Sequence, residues 1–204
     1  MGIFKYIGSQ FAKPKGFGGK LSTLFMNMLN KQQYASVVKC FNSLKPKNLL
    51  DIGFGNGYLL SRLSKNSNAN FYGIEISEDM LVQAVKKNKK AIDSGKMKLS
   101  IADVSDTKFN SDTFDFIYTV NTVYFWDNLE QGYEEVKRIL KNGGVFANAF
   151  YTDKWLNSVG SYTKYHFTKY STAEMIKRIE NMGFSDIKLE EISKDKAYCL
   201  IAYK

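Results

Sequence analysis

Cysteine, histidine, proline and arginine are all scarce in this 204-residue chain, and each scarcity removes a class of protein. The two cysteines, Cys40 and Cys199, stand far apart with no CxxC pattern and no histidine cluster beside them, so neither a disulfide framework nor a zinc site is expected. A reducing cytoplasm fits that usage. His166 is the only histidine, which leaves a single imidazole for acid–base work. No apolar run approaches the roughly 18 residues of a membrane-spanning helix, and the start MGIFKYIGSQ lacks a signal-peptide core. No Pro-, Gly- or Ser-rich linker divides the chain, so one domain is expected, with residues 1–45 as an N-terminal lid and helix before a core over 46–204.

One feature is in excess. The formal net charge of +9 raises the question of a polyanionic partner, because clustered cations release counterions from phosphates. The cations here are dispersed, and only Arg62, Arg138 and Arg178 are arginine, the residue whose fork recognises phosphates and bases in a bidentate way. The densest run, Lys86 to Lys90, reads as the solvated face of a helix.

Periodicity then organises the chain. Leu21, Leu24, Phe25, Met28 and Leu29 recur at helical spacing and predict an amphipathic helix over Leu21 to Phe41, ending before Pro46. Beyond it, strands are predicted at Asn48 to Ile52, Phe71 to Ile76, Met97 to Ala102, Phe114 to Thr119 and Val145 to Tyr151. Helices are predicted to open at Tyr58 and to span Glu78 to Ile92, Leu129 to Leu140 and Thr172 to Met182. Alternating strands and helices imply an α/β fold with a mainly parallel sheet and helices on both faces. Two final strands, near Ile187 to Ile192 and Ala197 to Tyr203, are separated by Ser193 to Lys196 alone, and a link that short permits only an antiparallel hairpin.

The chemistry starts at Asp51-Ile52-Gly53-Phe54-Gly55-Asn56-Gly57, where glycines sit at a strand-to-helix turn and let a ligand approach the backbone. Tyr58 stands where the dinucleotide fingerprint GxGxxG wants its third glycine, and the Gly-Lys-Ser/Thr ending of a P-loop is missing. An acidic residue followed by GxGxG resembles the first motif of the class I S-adenosylmethionine-dependent methyltransferases. The likeness continues through Glu75 at the end of the second strand, Asp103 after the third, Phe114-Asp115-Phe116-Ile117-Tyr118 in the fourth, and Leu140-Lys141-Asn142-Gly143-Gly144 before the fifth. Gln10 to Gly16 and Val120 to Trp126 are similar to a type 11 branch that acts on small molecules.

That resemblance implies a Rossmann-like seven-stranded sheet with a C-terminal antiparallel hairpin, and S-adenosylmethionine as cofactor, leaving as S-adenosylhomocysteine. It implies cofactor contacts at Asp51, Gly53, Gly55, Gly57, Glu75, Ile76, Ser77, Met80, Asp103, Val104, Val120 and Asn121. Glu75 is expected on the ribose diol, since a carboxylate has two acceptor oxygens for two hydroxyls. Asp103 is expected at the adenine amino group. Tyr118, Tyr124, Phe125 and Trp126 are expected beside the transferred methyl, where π faces tolerate a sulfonium. Asn121, Tyr124 and His166 are the candidates for orienting or deprotonating an acceptor.

A small-molecule acceptor is the expected partner, with no membrane span and a monomer or homodimer as the assembly. A nucleic-acid amino-methyltransferase would carry two prolines after the fourth strand, where this chain has Asn121-Thr122-Val123-Tyr124. An arsenite methyltransferase would need more thiolates than two remote cysteines supply. A non-catalytic S-adenosylmethionine-binding protein is the alternative from another class, and the intact Asp51, Glu75 and Asp103 argue for the ligand without proving turnover. The segment through Gly19 is read as a lid, from Gly16, Gly18 and Gly19 for flexibility and Phe11 and Phe17 for apolar cover.

Overall fold

The computed structural model describes residues 28–159 and 167–204. Helix α1, Lys31–Leu44, closes on Lys45, which takes a left-handed conformation and donates its N–H to the Phe41 carbonyl just before Pro46. The helix thus runs three residues past its expected end at Phe41, and the part of the expected helix before Met28 lies outside the described residues. There follow β1 (Asn48–Ile52), α2 (Tyr58–Ser64), β2 (Asn70–Glu75), α3 (Glu78–Asp93), β3 (Met97–Ile101) and β4 (Phe114–Val120). A short 3-10 helix, Val123–Phe125, leads into α4 (Leu129–Ile139), β5 (Leu140–Tyr151), α5 (Asp153–Ser158), α6 (Thr172–Asn181), β6 (Ser185–Ser193) and β7 (Ala197–Tyr203).

The seven strands lie in the order β3-β2-β1-β4-β5-β7-β6. The first five are parallel; β7 runs antiparallel to both β5 and β6, as the short link between the last two strands requires. Because neighbouring side chains on a strand face opposite ways, the sheet feeds two apolar cores. Leu49, Phe71, Phe116 and Ala147 pack on one face with Val37, Leu60 and Ala84 of α1, α2 and α3. Leu50, Ile117, Phe146 and Leu200 pack on the other with Tyr133 and Val136 of α4 and Met175 and Ile179 of α6. Among the described residues no helix is long and apolar enough to cross a membrane.

Apart from shifts of one to three residues at element ends, two features differ from the sequence reading. Lys141 to Gly144 reads as a helix-to-strand turn, yet β5 already begins at Leu140, which pairs with Phe114 before the register shifts to Phe116 against Val145. A bulge absorbs the extra residues, which residue pattern alone does not reveal. The stretch after Tyr151 contains α5, whose start is capped by Thr152 accepting the Trp155 N–H at 3.2 Å.

Truncating either core should be costly and truncating an exposed helix position should not. Phe71→Ala and Phe146→Ala, each removing a fully buried ring, are expected to lower unfolding free energy by about 3–5 kcal/mol. Val82→Ala on α3, at a position 68% exposed, should stay within about 0.5 kcal/mol. Urea unfolding measures both, and equal midpoints for all three variants would contradict the two-core arrangement.

Candidate functional site

Parallel strands end their carboxyl termini on one edge, and here β1, β2 and β4 deliver their last residues to a single cleft of about 1050 Å³ including its open mouth. An acidic side chain stands at each of three successive positions along it: Asp51 in β1, Glu75 closing β2, and Asp103 just after β3. Asp51 and Glu75 are buried at 4% and 9% exposure, so both require partners.

Glu75 is held by backbone. One carboxylate oxygen accepts the N–H groups of Ile76 at 2.8 Å and Ser77 at 3.1 Å, and the other accepts that of Gly55 at 3.0 Å. It therefore ties the glycine turn after β1 to the start of α3, whose N-terminal dipole favours a negative charge there. Asp51 is paired in register with Tyr118 of β4, and that adjacency lets the Tyr118 hydroxyl donate to Asp51 Oδ2 at 2.9 Å. Burial pushes the Asp51 carboxyl up to about 8, the nearby Glu75 charge adds to the rise, and the Tyr118 hydrogen bond opposes it. Asp103 is fixed by Ser105, whose N–H and hydroxyl donate to Oδ1 at 2.8 and 2.6 Å.

The glycines of the turn serve different ends. Gly53, at φ +74°, has no room for a Cβ because the Thr122 methyl occupies that space. The sequence reading has its smallness admit a ligand; in the structure it admits Thr122. Thr122 hydrogen bonds with the Thr119 hydroxyl and accepts the Trp126 indole N–H at 3.1 Å, so Gly53 indirectly seats Trp126 on the cleft wall. Gly55, at φ +54°, faces open space, and a Cβ added there would meet no heavy atom within 4 Å. Gly57 sits off the wall, against Ala84 and Asn88 of α3.

Of the expected cofactor residues, Asp51, Gly53, Gly55, Glu75, Ile76, Met80, Asp103, Val104, Val120 and Asn121 line the cleft, and Gly57 and Ser77 do not. Phe125 and Trp126 line it as expected of the aromatics, but Tyr118 and Tyr124 do not. Tyr118 lies fully buried beneath Asp51, and the Tyr124 hydroxyl is engaged behind the wall, accepting the Tyr151 N–H and lying 3.1 Å from Asn121 Oδ1 and 3.2 Å from the Tyr151 carbonyl. Both aromatics thus stand behind the cleft wall, hydrogen-bonded to residues next to it. His166, like the segment through Gly19, lies outside the described residues.

The sequence reading missed Asn30, Tyr34 and Thr122, all on the wall. Asn30 and Tyr34 are one helical turn apart, but nothing local tells that the start of α1 meets the end of β4. Asn121 Nδ2 donates to Asn30 Oδ1 at 2.9 Å, and the Tyr151 hydroxyl donates to the Leu29 carbonyl at 3.1 Å. These bonds bring α1 over the β4–β5 end of the cleft.

Comparison with known proteins bears on this geometry. Residues 50–148 match the type 11 family model described as a methyltransferase domain. An uncharacterized protein of Methanocaldococcus jannaschii, MJ1123, is 31% identical over 168 residues, covering 78% of this chain and 75% of that protein. The sterol methyltransferase-like 3 protein of Botryococcus braunii is 34% identical over 99 residues, 48% of this chain; the chain spans only 25% of that relative's length. A solved SAM-dependent methyltransferase structure from Aquifex aeolicus superposes with a TM-score of 0.73 at 23% identity, covering 92% of this chain and 98% of that one.

Two consequences of the geometry can be measured without any ligand. Gly53→Ala meets both a left-handed backbone and Thr122, whereas Gly55→Ala meets the backbone cost alone, so Gly53→Ala should lower the melting temperature distinctly more. Equal losses would mean that the Thr122 contact is slack. Asp51 titrates near 3.9 when unfolded and about 8 when folded, so its contribution to stability is complete below about pH 4 and is lost as pH rises through 8. Denaturation of the wild type and Asp51→Asn across that range should show curves that diverge, the wild type losing ground as pH rises; parallel curves would place Asp51 in a more solvated setting.

Proposed function

We propose the following reaction for this chain, which belongs to the type 11 branch of the class I S-adenosylmethionine-dependent methyltransferases: transfer of the cofactor's methyl group to a small-molecule acceptor at the β4–β5 end of the cleft. The observation that carries it is the convergence of Asp51, Glu75 and Asp103 on one cavity, with Gly55 of the glycine turn facing open space. These residues fit the cofactor. Glu75 suits the ribose diol, Asp103 the adenine amino group, and the apolar Ile76, Met80, Ala102 and Val104 the faces of the base. Asp51 suits the amino-acid arm, whose ammonium would favour the ionised carboxylate.

When bound, the cofactor supplies a methyl group on a positively charged sulfur. The chain's own residues would position and desolvate: Phe125 and Trp126 present aromatic surface to the reacting end, and α1 covers it through Asn30 and Tyr34. Asn121 remains the candidate for orienting an acceptor, with Tyr124 acting through it, and His166 the candidate base. The small-molecule reading is supported by a mainly apolar and aromatic cleft wall with a few placed polar groups, and by the position of Lys86, Lys87, Lys89 and Lys90 on an exposed face of α3 outside the cleft lining.

Labelled S-adenosylmethionine offered with a panel of amines, phenols, thiols and, given the sterol methyltransferase-like relative, sterol-class lipids tests the proposal. Transfer to one of them is expected, and Glu75→Ala should weaken S-adenosylhomocysteine binding by about 1.5–3 kcal/mol in a folded protein. Absence of saturable cofactor binding by the wild type would overturn the reading. Methylation of RNA or DNA, with binding that weakens steeply as salt rises, would instead reassign the acceptor and the lysines.

A further inference from the structure

Two asparagines on the cleft wall meet side chain to side chain, and one of them gives up its local helix cap to do so. Asn30 occupies the N-cap of α1, where an asparagine side chain ordinarily accepts an N–H from the helix's own first turn; here it makes no such bond. Its Oδ1 instead accepts from Nδ2 of Asn121, 91 positions away, at 2.9 Å, and the side chain is 8% exposed. Asn121 has φ +56°, a left-handed conformation that asparagine adopts more readily than other residues with a Cβ, and its side-chain amide is held on both sides. The Asn121 N–H is bonded to the Ala149 carbonyl at 2.9 Å, its Oδ1 faces the Tyr124 hydroxyl, and its Nδ2 is on Asn30. The first two belong to the sheet and the segment that follows it; Asn30 is the partner contributed by α1.

The conformation matters because of what flanks it. Val120, Asn121 and Thr122 all line the cleft, and Thr122 fills the space above Gly53 and accepts the Trp126 indole N–H. A change in the Asn121 backbone would swing Thr122, and with it the wall against which the glycine turn and Trp126 are set. We propose that Asn30 is a positioning residue for the donor end of the site, acting through the Asn121 amide to hold the β4 terminus in the shape that receives S-adenosylmethionine. The inference rests on the cofactor site proposed above. It makes α1 a working part of the site, since loss of one side chain on the helix is transmitted to the sheet edge.

Glycine adopts φ +56° unaided, and this makes the proposal testable. S-adenosylhomocysteine affinity would be measured by calorimetry on the full chain for the wild type, Asn30→Ala, Asn121→Gly and the double variant, with melting temperatures to verify folding. Asn30→Ala alone is expected to weaken binding about tenfold, a factor equivalent to about 1.4 kcal/mol. In the Asn121→Gly background, whatever affinity that variant has, the same alanine should change binding by less than about twofold, because the amide through which Asn30 acts is gone. A tenfold loss in both backgrounds would show that Asn30 touches the ligand or merely supports packing, and no loss in either would make the amide contact incidental; each overturns the proposal. A wild type that fails to bind at all would refute the cofactor site itself, an outcome distinct from the other two.

Discussion

The Glu75 carboxylate joins the parts of the cleft. It accepts backbone N–H groups from Gly55 on one side and from Ile76 and Ser77 on the other, and so holds the turn after β1 against the entrance of α3. Without it, the turn after β1 and the start of α3 would lose the acceptor their N–H groups share. The same charge reaches Asp51, whose buried carboxyl it helps to keep protonated near neutrality. A cationic ligand arm entering there would reverse that bias, which couples ligand charge to the protonation of the floor.

A second chain of contacts sets the opposite end. Gly53 leaves room for Thr122, Thr122 bonds with Thr119 and holds Trp126, and Asn121 connects this loop to α1 through Asn30 and to the Tyr151 backbone through Tyr124. The cleft is thus an acidic half built on β1–β3 and an amide- and hydroxyl-linked half built on β4, β5 and α1. The acidic half carries the motifs by which the chain resembles the class I methyltransferases; the other half is built from contacts between segments remote in sequence.

The division also explains what is legible in the sequence. Asp51, Glu75 and Asp103 are legible because each is placed by its own strand, so spacing along the chain translates directly into position on the sheet edge. The hairpin of β6 and β7 is legible because its link is too short for a crossover. Tyr118 and Tyr124 are expected at the methyl position, but whether an aromatic faces the cleft depends on strand parity and on neighbours such as Asp51 and the Tyr151 backbone. Asn30, Tyr34 and Thr122 escape notice because their roles arise from contacts between segments remote in sequence, and the β5 bulge because Lys141 to Gly144 has turn chemistry while lying in an extended run.

The central claim is that one ligand spans both halves of this cleft, and a crystal structure of the wild-type chain with S-adenosylhomocysteine measures it most directly. The account places the ribose hydroxyls on Glu75, the adenine between Ile76, Met80 and Asp103, and the amino-acid arm between Asp51 and the Asn30–Asn121 pair. Ligand density elsewhere, or in this cleft with the ribose away from Glu75, would contradict it.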